Sequence, residues 1–96
     1  MSFYITLWTF SHQGIEKIKD SPKRADHFKQ VAESKGVKVH DIYYTFGQYD
    51  GVGIVEAPDD STLMSALLSV ESEGNARTVT LKAFKYEEAK KIIDNL

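Results

Sequence analysis

Tyr4, Trp8, His40, Tyr43, Gly53 and Lys82 combine flat apolar walls, polar tips and a cation. That is the mixture a small-ligand site uses. Lys82 would draw a carboxylate or enolate. Trp8 and Tyr4 would stack on a ring, and His40 or Tyr43 would pass a proton. Gly53, bare in mid-strand, would leave room beside the larger rings. The alternative is that Trp8 itself, or a second subunit, fills that room, and the two accounts weigh equally.

Two further groups stand out. Ser21, Lys23 and Arg24 open a helix, where free amides and nearby cations together would hold a phosphate or carboxylate. Cations there oppose the macrodipole by about 0.3–1 kcal/mol. The plainer account, in which both side chains reach water and Asp20 and Asp26 compensate, is favoured. Tyr49 and Asp50 lie in Gly47-Gln48-Tyr49-Asp50-Gly51 and would line a pocket at a strand end. Local turn chemistry is favoured there: the carboxylate bonds nearby amides, Gly47 and Gly51 allow positive φ, and Tyr49 packs.

Other chemistries find little support. His12, His27 and His40 share no metal-ligand spacing and cysteine is absent, so no metal and no cofactor are expected. His40 beside Asp41 makes a base–orienter pair only if a bulge turns both to one face. No Ser-His-Asp order, phosphate-cradling glycine loop or paired acids are present. Twelve Lys and Arg against fourteen Asp and Glu leave a net charge of −2, without the basic excess of a nucleic-acid binder. No apolar run nears the about 20 residues of a membrane helix, and no secretory signal is visible. A cytoplasmic protein without nucleic-acid or membrane partners is expected.

The elements that position these residues follow from periodicity. Residues 3–10 are aromatic, β-branched or Leu throughout and predict a strand, with Phe3, Ile5 and Leu7 toward the core and Tyr4, Thr6, Trp8 and Phe10 on the other face. A connection follows with a helical turn near Ile15 and Ile18. Ser21 as N-cap and Pro22 then open a helix to about Lys35, burying Ala25, Phe28, Val31 and Ala32, with Gly36 as its stop. In the strand 37–46 the apolar parity slips from Val37 and Val39 to Ile42, Tyr44 and Phe46, which predicts a bulge near His40-Asp41. A strand at 51–57 turns Val52 and Ile54 to the core. A helix opened by Pro58-Asp59-Asp60-Ser61 buries Leu63, Met64, Leu67 and Leu68 and ends at Gly74. A strand at 77–84 places Val79, Leu81 and Ala83 on one face. A last helix, 87–96, turns Ala89, Ile92, Ile93 and Leu96 inward.

The order βαββαβ plus a C-terminal helix gives, with right-handed crossovers, an α+β ferredoxin-like sandwich in one domain, 1–96. One sheet face is then uncovered, carrying Tyr4, Thr6, Trp8, Phe10, Tyr43, Thr45, Val55, Thr78, Thr80, Lys82 and Phe84. So apolar a face is a poor candidate for permanent exposure. Face-to-face pairing of two copies into a barrel-like homodimer, or a higher homo-oligomer, is expected.

Gly47-Gln48-Tyr49-Asp50 followed by Ile54-Val55-Glu56-Ala57-Pro58-Asp59-Asp60 resembles the GYD-domain family of small prokaryotic proteins. So do Gln13-Gly14-Ile15, Ile18-Lys19-Asp20-Ser21-Pro22-Lys23-Arg24 and Gly74-Asn75-Ala76-Arg77-Thr78. The blocks span nearly the whole chain. The resemblance implies a ferredoxin-like, dimeric α/β barrel and no established activity. Where the family tends to a small, apolar end to its second main helix, this chain has Glu71-Ser72-Glu73. A weaker likeness, through the Gly-x-Tyr-Asp turn, is to the Lrp/AsnC ligand-binding domain, which binds amino acids between subunits.

Two functions are weighed for this pattern, with a structural protein that has no ligand as a third. One is a non-catalytic oligomeric module that binds a small anionic or aromatic molecule. The other is a cofactor-independent enzyme of the small α/β-barrel type, with Trp8, Tyr43 and His40 around an aromatic or enolic substrate. The balance leans away from an enzyme, because no residue pattern names a reaction.

Overall fold

The computed structural model describes residues 1–96. β1 (Ser2–Phe10) leads through Ser11, whose side chain caps α1 (His12–Glu16) by accepting the Gly14 N–H. A 3-10 turn, Ile18–Asp20, runs directly into α2 (Ser21–Ser34), with Pro22 in the first turn and Gly36 at φ 86° beyond its end. Asp20, not Ser21, occupies the N-cap position. β2 (Lys38–Tyr44) and β3 (Gly51–Ala57) form a hairpin across the Gly47-containing turn. The Asp59 carboxylate accepts the Thr62 N–H at 2.7 Å and caps α3 (Asp60–Glu71). Gly74, at φ 85°, turns the chain into β4 (Ala76–Ala83), and α4 (Tyr86–Asp94) follows.

All neighbouring strands are antiparallel, in the order β2-β3-β1-β4, with α2 and α3 against each other and against the sheet. This is the ferredoxin-like α+β arrangement expected from the element order. The register of β2 on β3 shifts between Val39 and Asp41, which places the bulge where the parity slip put it.

The faces of three strands are the reverse of expectation. Tyr4 (3% exposed), Thr6 and Val55 lie under the helices, and Trp8 and Phe10 face the same way. Phe3, Ile5, Leu7, Val52, Ile54, Val79 and Leu81 form the uncovered face; Val79 and Leu81 are about half exposed. Both faces of β1 are apolar, so alternation alone could not choose between them. Close approach made the choice. Trp8 pairs with Gly51 and Thr6 with Gly53, so the helix side of β3 is bare where β1 is bulky. Only β2 keeps its expected faces, because the bulge restores parity: Ile42 and Tyr44 lie under the helices and Tyr43 on the open side.

Three helix and loop assignments also change. In α3 the buried pair is Leu63 and Ala66, whereas Met64 and Leu68 are 60% and 49% exposed. The stripe is rotated because Ala66 is small enough to let α3 sit close to the sheet. Phe46 is fully exposed in the turn. In α4 no residue is buried; Ile92 and Ile93, and Leu96 beyond the helix end, point into solvent because the helix does not fold back on the sheet.

Candidate functional site

A cavity of about 100 Å³ lies between the sheet and the N-terminal half of α2 and C-terminal half of α3. β1 contributes Trp8 and Phe10, α2 contributes Ala25 and Phe28, and α3 contributes Leu67 and Val70. Alternation along β1 aims both aromatic rings inward. Gly51 lets Trp8 lie flat on β3: a Cβ there would stand 1.9 Å from Trp8 Cζ2. Gly53 is less critical, since its Cβ would meet nothing closer than 3.8 Å. Tyr44 meets the indole edge-on at 6.1 Å between centroids. So Trp8 fills the space over β3, and the cavity opens on the indole's other surroundings.

Many of the polar groups around this cavity are matched within the chain. Ser21 Oγ and Tyr44 Oη share a hydrogen bond of 2.7 Å. The Glu71 carboxylate accepts both the N–H and the hydroxyl of Thr78, at 2.7 Å each. Arg24 donates to the carbonyls of Lys17 and Gly14 and lies 5.8 Å from the Phe10 ring centroid. His27 and Glu73 approach to 3.4 Å, joining α2 to the loop after α3. No buried side-chain polar atom lacks a partner. The lining of the chamber is therefore mainly apolar.

A second polar cluster sits at the start of α3. The buried Tyr4 hydroxyl donates to Asp60, whose carboxylate is also 3.4 Å from Lys82 Nζ. The hydrogen bond to Asp60, then burial, pushes the Tyr4 phenol up from its ordinary value. The same hydrogen bond, then the Lys82 charge, holds the Asp60 carboxyl below the usual range. These three border an open groove of about 450 Å³ between α3 and β4, walled by Leu63, Met64, Leu67 and Leu68.

A third cluster lies on the uncovered sheet face. The bulge turns His40 toward Glu56, at 3.0 Å, and onto the Phe3 ring, at 5.3 Å between centroids. Lys85 Nζ lies 4.4 Å from the same ring. The hydrogen bond with His40 holds the Glu56 carboxyl below its ordinary value.

The six residues first singled out are thus divided. Trp8 and Gly53 line the chamber, Tyr4 and Lys82 the groove, and His40 and Tyr43 the opposite sheet face. His40 is engaged by Glu56, not Asp41. Of the anion-site residues, Ser21 and Arg24 are bonded within the chain and Lys23 is exposed. In the Gly47-Tyr49-Asp50 turn, Asp50 acts at longer range than expected. Its carboxylate accepts the Phe10 N–H at 2.8 Å and its own N–H donates to the Trp8 carbonyl, extending the β1 ladder. Gly47 has φ 120°, whereas Gly51 is not in the positive-φ region and serves Trp8 instead.

Phe10, Phe28, Leu67 and Val70 are cavity walls that site reasoning from the sequence passed over. Phe28 and Leu67 were visible as inward helix positions, and Phe10 as part of the aromatic set of β1. What was missing was the face on which that set lies.

Gln13-Gly14 and Glu73-Gly74-Asn75, far apart in sequence, close one end of the molecule. Gln13 Nε2 donates to the Glu73 carbonyl and to Asn75 Oδ1, and Ser11 Oγ donates to the Gly74 carbonyl. Gly14 is needed there, since a Cβ would come within 2.1 Å of the Asn75 carbonyl oxygen. This junction and the Asp50 tie show why those sequence blocks go together.

The comparisons with known proteins agree. The family model described as "GYD domain" matches residues 4–93. A protein of Thermus thermophilus named "Glutamine synthetase and cystathionine beta-lyase binding protein" is 37% identical over 84 residues, covering 86% of this chain and 88% of that protein. With that family model matched over nearly its whole length, the chain belongs to the GYD-domain family.

Proposed function

We propose that this protein is a non-catalytic, homo-oligomeric binding module of the cytoplasm that receives a small aromatic or apolar group in the Trp8 chamber. The carrying observation is the chamber itself: aromatic walls, about 100 Å³, and no fully buried side-chain polar atom left unmatched. An apolar cavity of about 150 Å³ in another protein stays dry and takes benzene or xenon, which sets the size class. Of the anionic and aromatic ligands considered, the aromatic fits better, because Arg24 and Lys82 are already engaged. Pairing of two copies through the Ile5, Leu7, Ile54 and Leu81 face is part of this reading, for the apolar extent of that face. The relative named for binding two enzymes supports binding over catalysis, and by likeness an enzyme is a fitting protein partner here too.

Benzene titration followed by NMR tests the chamber. The Trp8 indole and Phe28 ring signals should shift and the melting temperature rise. Ala25→Leu, which fills the chamber, should keep the fold and lose both responses. Benzene shifts confined to the open sheet face, or none, would remove the chamber from the reading.

A further inference from the structure

α4 ends the chain as an amphipathic helix whose apolar side covers nothing. Tyr86, Ala89 and Ile93 recur at intervals of three and four along one side, and Leu96 follows just beyond the C-cap Asn95. Tyr86, Ile93 and Leu96 are 74%, 63% and 98% exposed. The opposite side is finished for water: Lys90 pairs with Asp94 at 2.8 Å, and Asn95 donates to the Lys91 carbonyl. α4 has nine residues. Isolated helices shorter than about 12–15 residues are marginal in water, so a helix of this length depends on packing.

Its placement says where that packing comes from. The long axis of the molecule is 49 Å. A nine-residue strand of about 30 Å and a nine-residue helix of about 14 Å, end to end, account for most of that length. No residue of α4 is buried, so it projects from the body, and the long axis has room for it. Its root lies at the rim of the uncovered sheet face, where the N-cap residue Lys85 sits over Phe3 at 4.4 Å. The arm is thus continuous with the face through which two copies are read to pair.

Area decides what the arm is for. Four strands about 4.8 Å apart and seven or eight residues long present about 450–500 Å² in projection. A standard stable interface buries about 800 Å² of accessible surface per partner and about 600 Å² at its small end, so the sheet face alone lies at or below the small end. An arm about 14 Å long and about 10 Å wide presents about 140 Å². In a two-fold pair each copy gives one arm and receives one, which closes most of the gap.

We propose that α4 is an exchanged arm, whose Tyr86, Ala89, Ile93 and Leu96 stripe docks on a second copy of this chain beside the sheet face. This rests on the homo-oligomer reading above and names what completes its interface.

Sedimentation equilibrium over a dilution series of the full chain tests it, with the double variant Ile93→Asp, Leu96→Asp and the sheet-face variant Leu81→Asp. All three positions are exposed in the single copy, so far-UV circular dichroism should be unchanged. The arm variant should weaken self-association by about a hundredfold, as expected for several aliphatic groups left wet in two arms. A full chain that stays monomeric at high micromolar concentration would overturn the homo-oligomer reading and the arm with it. A full chain that associates, loses association in Leu81→Asp and keeps it in the arm variant would overturn the arm alone. Retained self-association together with lost binding to phosphatidylglycerol vesicles would likewise overturn it, making α4 a membrane-surface helix.

Discussion

The layer between sheet and helices is packed differently at its two ends. Where β1 begins, Ala32, Ala57 and Ala66 are wholly buried, with Val37, Val55 and Leu63 beside them. Where β1 ends, Trp8, Phe10 and Phe28 are only part-buried and enclose a cavity. The difference lies in side-chain size. Alanines let two backbones close to contact, so methyl and isopropyl groups fill what remains. Rigid rings hold the helices off and cannot be fitted around one another without a gap. The same fold thus contains a solid end and a hollow one.

The largest test of this contrast is paired truncation. Leu63→Ala at the solid end should lower stability by about 2–5 kcal/mol in urea unfolding, since the neighbours are fixed and a cavity must remain. Val70→Ala at the hollow end should lower it by well under about 2 kcal/mol, because the space is already there. Equal losses would mean that the ends do not differ in packing. Gly51→Ala comes next. Its Cβ must displace the Trp8 ring from 1.9 Å, and the hollow beside it accepts the ring, so about 1–3 kcal/mol is expected with a shift in Trp8 fluorescence. Gly53→Ala, with 3.8 Å of clearance, should leave that fluorescence unchanged. Ala25→Leu is smaller again: filling the hollow should be neutral or stabilising by about 1 kcal/mol, whereas Ala66→Leu at the solid end should be clearly destabilising.

Element order, the β2 bulge and the stops at Gly36 and Gly74 were legible in the sequence because each rests on local chemistry: period, parity and positive φ. The open face was legible as a fact but not as a set of residues. β1 is apolar on both sides, and the deciding feature was a pair of glycines on another strand, opposite Trp8 and Thr6. That is a tertiary relation, invisible to periodicity. The candidate site divided for the same reason. His40 and Tyr43 were read with the correct face through the bulge, and Tyr4, Trp8, Gly53 and Lys82 with the other one. Asp50 was recognised as a turn residue, but its bond to Phe10 needs the end of β1 beside it. Met64 and Leu68 were placed inward by the stripe of α3, and Ala66 took that role because closeness, not hydrophobicity alone, selects the buried side.

The subtlest expected effect separates the two ends by pH. At the solid end the Tyr4 hydroxyl donates to the Asp60 carboxylate; at the hollow end Tyr44 shares a hydrogen bond with the Ser21 hydroxyl. Asp60 is held below its ordinary value, first by Tyr4 and then by Lys82. Its contribution is therefore present above the unfolded carboxylate value of about 3.9 and is lost as pH falls through the lower folded value. Tyr4 is raised, first by Asp60. Its contribution is full below the unfolded phenol value of about 10 and is lost as pH rises through the higher folded one. Tyr4→Phe should flatten the urea midpoint against pH in both windows, acid and alkaline. Tyr44→Phe, which removes a bond that involves no carboxylate, should lower the midpoint and leave the acid limb in place. A Tyr4→Phe profile parallel to the unaltered protein in both windows would show that the pair does not couple folding to protonation.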